Sequence, residues 1–286
     1  MNRALVGKSI RDGRLLFFGL LLLMFLFPWL FAWASGMISL GAFSDFLTRA
    51  LPPQWQRMWG VPISELATPA GRLALIWVHP LMVLGALTWA IARGSDCVSG
   101  EIGRGSMEML LAQPVSRTCV YATHALVTVA GSALLAVAAW CGTAIGVHTR
   151  EMYADVAVTQ YAAPAANYFG LMLCFGGLAA LASSCDSQRW RTVAVMVGTY
   201  IVSVALTIAG QVAPRWGWLQ YLSILTPYKP QTMVAHSDVA WQFLRERDGQ
   251  TVLGLGGCQL VLIALGAGAY LAGGIIFARR EIPAPI

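Results

Sequence analysis

"SGEIGRGSMEMLLAQPVSR", residues 99–117, interrupts a chain that is otherwise apolar. Upstream of it, residues 73–92 carry no charged side chain, and downstream residues 118–149 carry none either. A helix rising about 1.5 Å per residue needs roughly 20 residues to cross the hydrocarbon of a bilayer. Both flanks meet that length. The quoted stretch therefore reads as a short charged link between two membrane spans.

The same test applied outward finds four more charge-free gaps, at 15–44, 156–185, 192–214 and 249–278. The spans are placed at about 15–36, 72–93, 118–147, 164–185, 191–212 and 252–278, with residues 1–14 as a basic arm. The fold class that follows is an all-α polytopic membrane protein with six transmembrane helices, forming a single domain over residues 1–286. The composition agrees. Of the residues 57% are hydrophobic and 11% charged, against about 25% charged in soluble domains.

The formal net charge is +6, and 17 of the 19 basic residues are Arg. They are dispersed, so no basic stripe of the kind nucleic acid requires is present in the sequence. An even number of spans puts both termini on one side. The arm, the two short links and the tail on that side hold 11 basic residues, while the other 8 lie mostly in the long loops 37–71 and 213–251, with Arg72 and Arg150 outside them. By density, the positive-inside rule places both termini in the cytoplasm of a cell (inner) membrane. The apolar run 15–31 exceeds the roughly 7–15 residues of a signal-peptide core, so the first segment reads as a retained helix. Pro28 and Pro80 are expected to kink the first two spans. Gly176 and Gly177 in the fourth span, and Gly266, Gly268, Gly273 and Gly274 in the sixth, read as close helix packing.

No catalytic motif is found. Cys97, Cys119, Cys141, Cys174, Cys185 and Cys258 form no C-x-x-C pair, so neither a disulfide framework nor a metal site is expected. His79 and His124 lie in apolar spans, where an ionisable group is a functional candidate. A neutral His hydrogen-bonded to a neighbouring helix is the plainer reading of each. Gly7-Lys8-Ser9 matches only the end of a phosphate-binding loop, because position 2 is Asn where that loop needs Gly. The arm is instead expected to lie on the inner leaflet, and no cofactor is expected on this chain.

At about 100° per residue, Glu101, Arg104 and Glu108 share one helical face, and Ile102, Met107, Met109 and Leu110 spread over the other. Glu101 and Arg104, and Arg104 and Glu108, are spaced to pair along a helix. Pro114 disfavours helix at Gln113, and Ser116 can cap the next span. This predicts an amphipathic surface helix over about 99–113, with its charged face in water. Whether that face meets a partner or only solvent is left open by these residues.

The stretch resembles the signature of ABC-2 type permeases, the membrane subunits of one class of ABC transporter. The matching positions are Glu101, Gly105, Ser106, Glu108, Leu110, Leu111, Pro114, Val115, Ser116 and Arg117. The six-span plan, "Leu225-Thr226-Pro227" and the terminal "Phe277-Ala278-Arg279-Arg280" also resemble that family, which often has Ser where Thr226 stands. The resemblance implies that the segment is a cytoplasmic coupling helix docking on a separate ATPase subunit. Glu101, Arg104, Gly105, Ser106, Glu108, Leu110, Leu111, Pro114, Ser116 and Arg117 would form that interface. It also implies a second permease copy (homodimer or paralogue), contact with membrane lipids, and ATP with magnesium held by the partner. The chain itself would be no enzyme, and it would couple hydrolysis to export of an unidentified, hydrophobic or lipidic substrate. The alternatives are a permease that transmits force to an extracytoplasmic partner without moving a solute, an intramembrane enzyme using His79 or His124, and an ATP-independent carrier. The carrier reading is opposed by the absence of acidic residues from the six gaps.

Overall fold

The structure, a computed structural model, describes residues 3–50, 61–247 and 250–280, apart from the side chains of Phe46, Leu47, Ala50, Glu108, Leu111, Pro214, Arg247 and Gln250. Six helices are long and apolar enough to cross a membrane. They are Arg3–Ser35, Pro69–Gly103, Arg117–His148, Val158–Cys185, Arg189–Val212 and Leu255–Arg279, the second and fourth counted with their irregular turns. The protein is all-α across the membrane; the described residues add one short hairpin, Leu244–Arg247 paired antiparallel with Gln250–Leu253.

The first span departs from the sequence reading at its start. Helix begins at Arg3, so the basic arm is the first turns of the span rather than a separate element. At the other end of the chain, residues 252–253 belong to the hairpin, and the sixth span begins at Leu255. Pro28 lies within a helix that runs on to Ser35.

Pro80 does interrupt the second span. Helix Pro69–Val78 ends at His79, whose extended backbone starts the next helix, Pro80–Ser95. The interruption is chemically repaired. Proline lacks an N–H, and the turn before it loses its ladder bonds. His79 Nδ1 accepts from the Leu81 N–H at 3.2 Å. The Trp77 carbonyl accepts from the Tyr228 hydroxyl, which reaches in from the long loop. The His79 ring stacks on Phe27 of the first span at 4.7 Å.

The fourth span is the hub. It is the most covered of the six, packing most extensively on the sixth and second spans. The first and fifth are the least covered. Close approach of the fourth and sixth spans depends on glycine. A Cβ on Gly177 would stand 2.3 Å from the Gly266 carbonyl oxygen, and one on Gly266 would stand 2.6 Å from that of Leu173. Backbone is against backbone, so no rotamer change relieves the overlap. The pairing of first and third spans uses the same device at Gly142, where a Cβ would lie 2.1 Å from the Phe25 carbonyl oxygen.

At the loop end of the bundle, Arg72 is fully buried. It donates to the carbonyls of Ser35 at 2.6 Å, Ile38 at 2.7 Å and Ser39 at 3.3 Å, and its guanidinium lies over the Phe43 ring at 4.3 Å. These carbonyls lie at and just beyond the end of the first span, where the helix carries its partial negative charge.

Gly177→Ala should lower stability by about 1–3 kcal/mol, the usual cost of overpacking. Gly268→Ala, where an added Cβ meets nothing within 4 Å, should leave it unchanged. Thermal unfolding of both variants in one detergent checks the contrast.

Candidate functional site

The other end of the bundle carries the charged link. Its geometry begins with the way the second span finishes. After Ser95 the helix loosens into a π turn, Asp96–Gly100, followed by one helical turn, Glu101–Gly103. The loosening has a partner that sustains it. Ser183 Oγ of the fourth span accepts from the N–H groups of Val98 at 3.1 Å and Ser99 at 2.8 Å, and donates to the Ser95 carbonyl at 3.0 Å. Backbone groups released by a π turn are thus satisfied from a neighbouring helix.

That extra turn swings two carboxylates inward. Asp96 faces three guanidinium groups: Arg104 Nη1 at 2.6 Å, Arg189 Nη1 of the fifth span at 3.6 Å, and Arg93 Nη1 at 3.6 Å. Glu101 has 0% side-chain exposure. Its Oε1 meets Lys8 Nζ of the first span at 2.6 Å and Arg104 Nη2 at 3.0 Å, with His124 Nε2 of the third span at 3.8 Å. Its Oε2 accepts from the Ser106 hydroxyl. Lys8 also pairs with Asp12 at 3.0 Å, and Arg93 donates to Ser9 Oγ at 2.7 Å. A carboxylate withdrawn from water costs several kcal/mol unless its lone pairs are met. Here one Arg spans both acids, two nitrogens to two carboxylates. Its pKa is raised: burial works to lower it, but the hydrogen bond to Asp96 and the Asp96 and Glu101 charges outweigh that.

The expected single helix over 99–113 is therefore two pieces. Gly105 adopts φ +68° and reverses the chain, a conformation glycine takes without steric cost. A second short helix, Ser106–Leu111, follows. The expectation that Glu101 looks into water is corrected in the same way: the π turn rotates it off the outer face, where Lys8 and Arg104 close over it. Arg104 remains on the surface with 44% of its side chain exposed. Met107 is buried against Val98 and Tyr121, and Leu110 against Leu5 and Val120. Met109 points outward with 68% exposure. Pro114 is exposed in the bend that ends the short helix. Ser116 caps the third span, its Oγ accepting from the Cys119 N–H at 3.2 Å. Arg117 donates to the Arg280 carbonyl, and Arg280 donates to those of Ser184 at 3.0 Å and Asp186 at 2.9 Å. The side chains of Glu108 and Leu111 lie outside the described residues. Among the described residues, no three His, Cys, Asp or Glu side chains are grouped as a metal ion would need.

A family model described as ABC-2 family transporter protein matches residues 6–282. The chain belongs to the ABC-2 transporter family. The match reaches into all six helices and covers the charged link, so the ABC-2 protein is a multi-pass membrane component of a transporter. Comparison with curated proteins yields no match. The resemblance carried by residues 99–117 thus concerned the right family, while half of the cluster at that link escaped sequence reasoning. Lys8, Asp96, Arg93, Arg189 and Ser183 were missed. Asp96 had a readable signal, an acidic residue one turn beyond an apolar span. Lys8 and Ser183 had none, because their partners lie on other helices.

Glu101→Gln should destabilise the ABC-2 protein by about 1–3 kcal/mol, below the roughly 3–5 kcal/mol of a fully buried broken pair, because Lys8 and Arg104 reach water. In a double-mutant cycle with Lys8→Met the two losses should not add. Denaturation midpoints of the four proteins measure it.

Proposed function

We propose that the chain is the membrane-spanning permease subunit of an ABC transporter, and that its link docks on a separate ATPase subunit. The observation that carries this reading is the short helix Ser106–Leu111. Met107 and Leu110 pin it to the bundle, and Met109 is left outward on a face with no partner among the described residues. A bound helix that exposes a large apolar side chain suits a groove in another protein. The exposed residues of the link, Arg104, Gly105, Met109, Gln113 and Pro114, would form the contact; Glu101, Ser106 and Leu110 would hold the link in place. ATP and magnesium belong to the partner in this reading, and hydrolysis there would move the link.

The two chain ends support an orientation. The N-terminal helix reaches the link through Leu5 and Lys8, and the end of the last helix reaches it through Arg280. The start of the first helix, the end of the last helix and the link therefore share one end of the bundle, and the higher density of basic residues there argues for the cytoplasm. Two copies would work together, associating through the first and fifth spans, whose apolar side chains Leu15, Phe18, Val195 and Ile201 are more than half exposed. The cargo would be hydrophobic or lipidic and would be exported.

The affinity-tagged chain, purified from its own membranes, should bring down an ATPase subunit with a phosphate-binding loop, identified by mass spectrometry. Met109→Glu should lose that subunit and leave thermal unfolding of the chain unchanged. Equal recovery with Met109→Glu would remove the link from the interface. In intact cells an impermeant maleimide should label a single Cys placed at Tyr221, whereas Cys185 should react only after lysis. The reverse pattern would invert the orientation.

A further inference from the structure

Two adjoining cavities beside the charged link have opposite character. One, of about 530 Å³, is walled by Lys8, Arg93, Arg104 and Arg189, with Asp12 and Asp96 as its acids. The other, of about 710 Å³, is an apolar groove between the second and fifth spans, running from Arg189 past Ile91 and Val193 to Leu84 and Tyr200. Ala92 and Arg189 line both. The pairing holds four cations against two acids in the wall, or three once Glu101 behind it is counted. Positive charge is thus in surplus. Arg189 meets Asp96 at 3.6 Å and donates to Ser95 Oγ and to the Ala92 carbonyl at 3.3 Å each, and 45% of its side chain stays exposed. Arg93 is buried, and its Nε has no hydrogen-bond partner.

We infer that this composite site binds one anionic phospholipid, with its phosphate against Arg189 and Arg104 and an acyl chain along the groove. The position suits the ligand. The cations stand at the ends of the second and fifth spans, where headgroups lie, and the apolar groove extends from them toward the bundle's middle. Basic pockets between membrane helices recognise anionic headgroups in this way. A soluble phosphate compound would use the cations and leave the groove idle. A second copy of this chain would need to fill the groove with side chains and would show no headgroup preference. The bound lipid would bridge the fifth span to the clamped end of the second. The inference does not depend on an ATPase partner, nor on which way the chain crosses the membrane.

The full chain in a nonionic detergent, titrated with phosphatidylglycerol bearing a fluorophore on one acyl chain and with equally labelled phosphatidylcholine, tests this by fluorescence anisotropy. Phosphatidylglycerol should bind about fivefold tighter for the one surplus charge. Arg189→Gln should abolish that preference by weakening phosphatidylglycerol more than phosphatidylcholine, whereas Arg189→Lys should retain it. Val193→Trp, which fills the groove without touching an ion pair, should weaken both lipids alike. It remains decisive even if Arg189→Gln fails to fold. Equal affinity for the two lipids, a preference that survives Arg189→Gln, no effect of Val193→Trp, or displacement of the labelled lipid by glycerol 1-phosphate would each overturn the assignment.

Discussion

Glu101 is a carboxylate with no exposure to solvent, placed where a membrane-spanning helix ends. Burying it is tolerable only if both oxygens are met by donors, and the chain meets them from three directions. Lys8 comes from the first span, Arg104 from the turn that follows, and Ser106 from beyond the reversal at Gly105. Each source imposes a condition. The first helix must be ordered out to Lys8, although that turn is too polar for the hydrocarbon. The second span must open into a π turn so that Glu101 faces inward. The link must turn back at Gly105, which only a residue free to adopt positive φ permits without strain. Asp96 repeats the logic one turn earlier and draws in Arg189 from the fifth span.

These ties give the link a short mechanical path into the bundle. The helix Ser106–Leu111 cannot shift without disturbing Arg104, and Arg104 holds both acids. The first, second, third and fifth spans all contribute a side chain within 4 Å of one of the two acids. The fourth span enters through Ser183, which supports the π turn itself. The surface link of this ABC-2 component is thus tied to the first, second, fourth and fifth spans by ion pairs and hydrogen bonds.

The far end of the molecule is built differently. There the second span is broken at His79 and mended by groups from elsewhere, including Tyr228 from the long loop. Arg72 gathers the carbonyls at the end of the first span without any carboxylate partner among the described residues. Backbone closure dominates at that end and charge pairing at the other. The two ends are joined by helices packed through glycine, at Gly142 between the first and third spans and at Gly177 and Gly266 between the fourth and sixth, where separation is set by backbone contact.

Charge-free length was enough to place six spans from the sequence alone, because lipid tolerates neither unpaired backbone nor unpaired charge and so writes its thickness directly into composition. Local chemistry was legible too: Ser116 capping the third span, the break at Pro80, the end of the link before Pro114. The family was legible from residues 99–117 through their resemblance to the ABC-2 signature, where charge and periodicity alone left a partner and solvent equally open. Helical periodicity could not foresee that Glu101 turns inward, because it assumes one unbroken helix, and the π turn shifts the phase by a residue. It could not pair Lys8 with Glu101 or Arg189 with Asp96, which stand 93 residues apart in both cases. Those pairings are decided by which helices pack side by side, a property of the bundle that no single stretch of the chain contains.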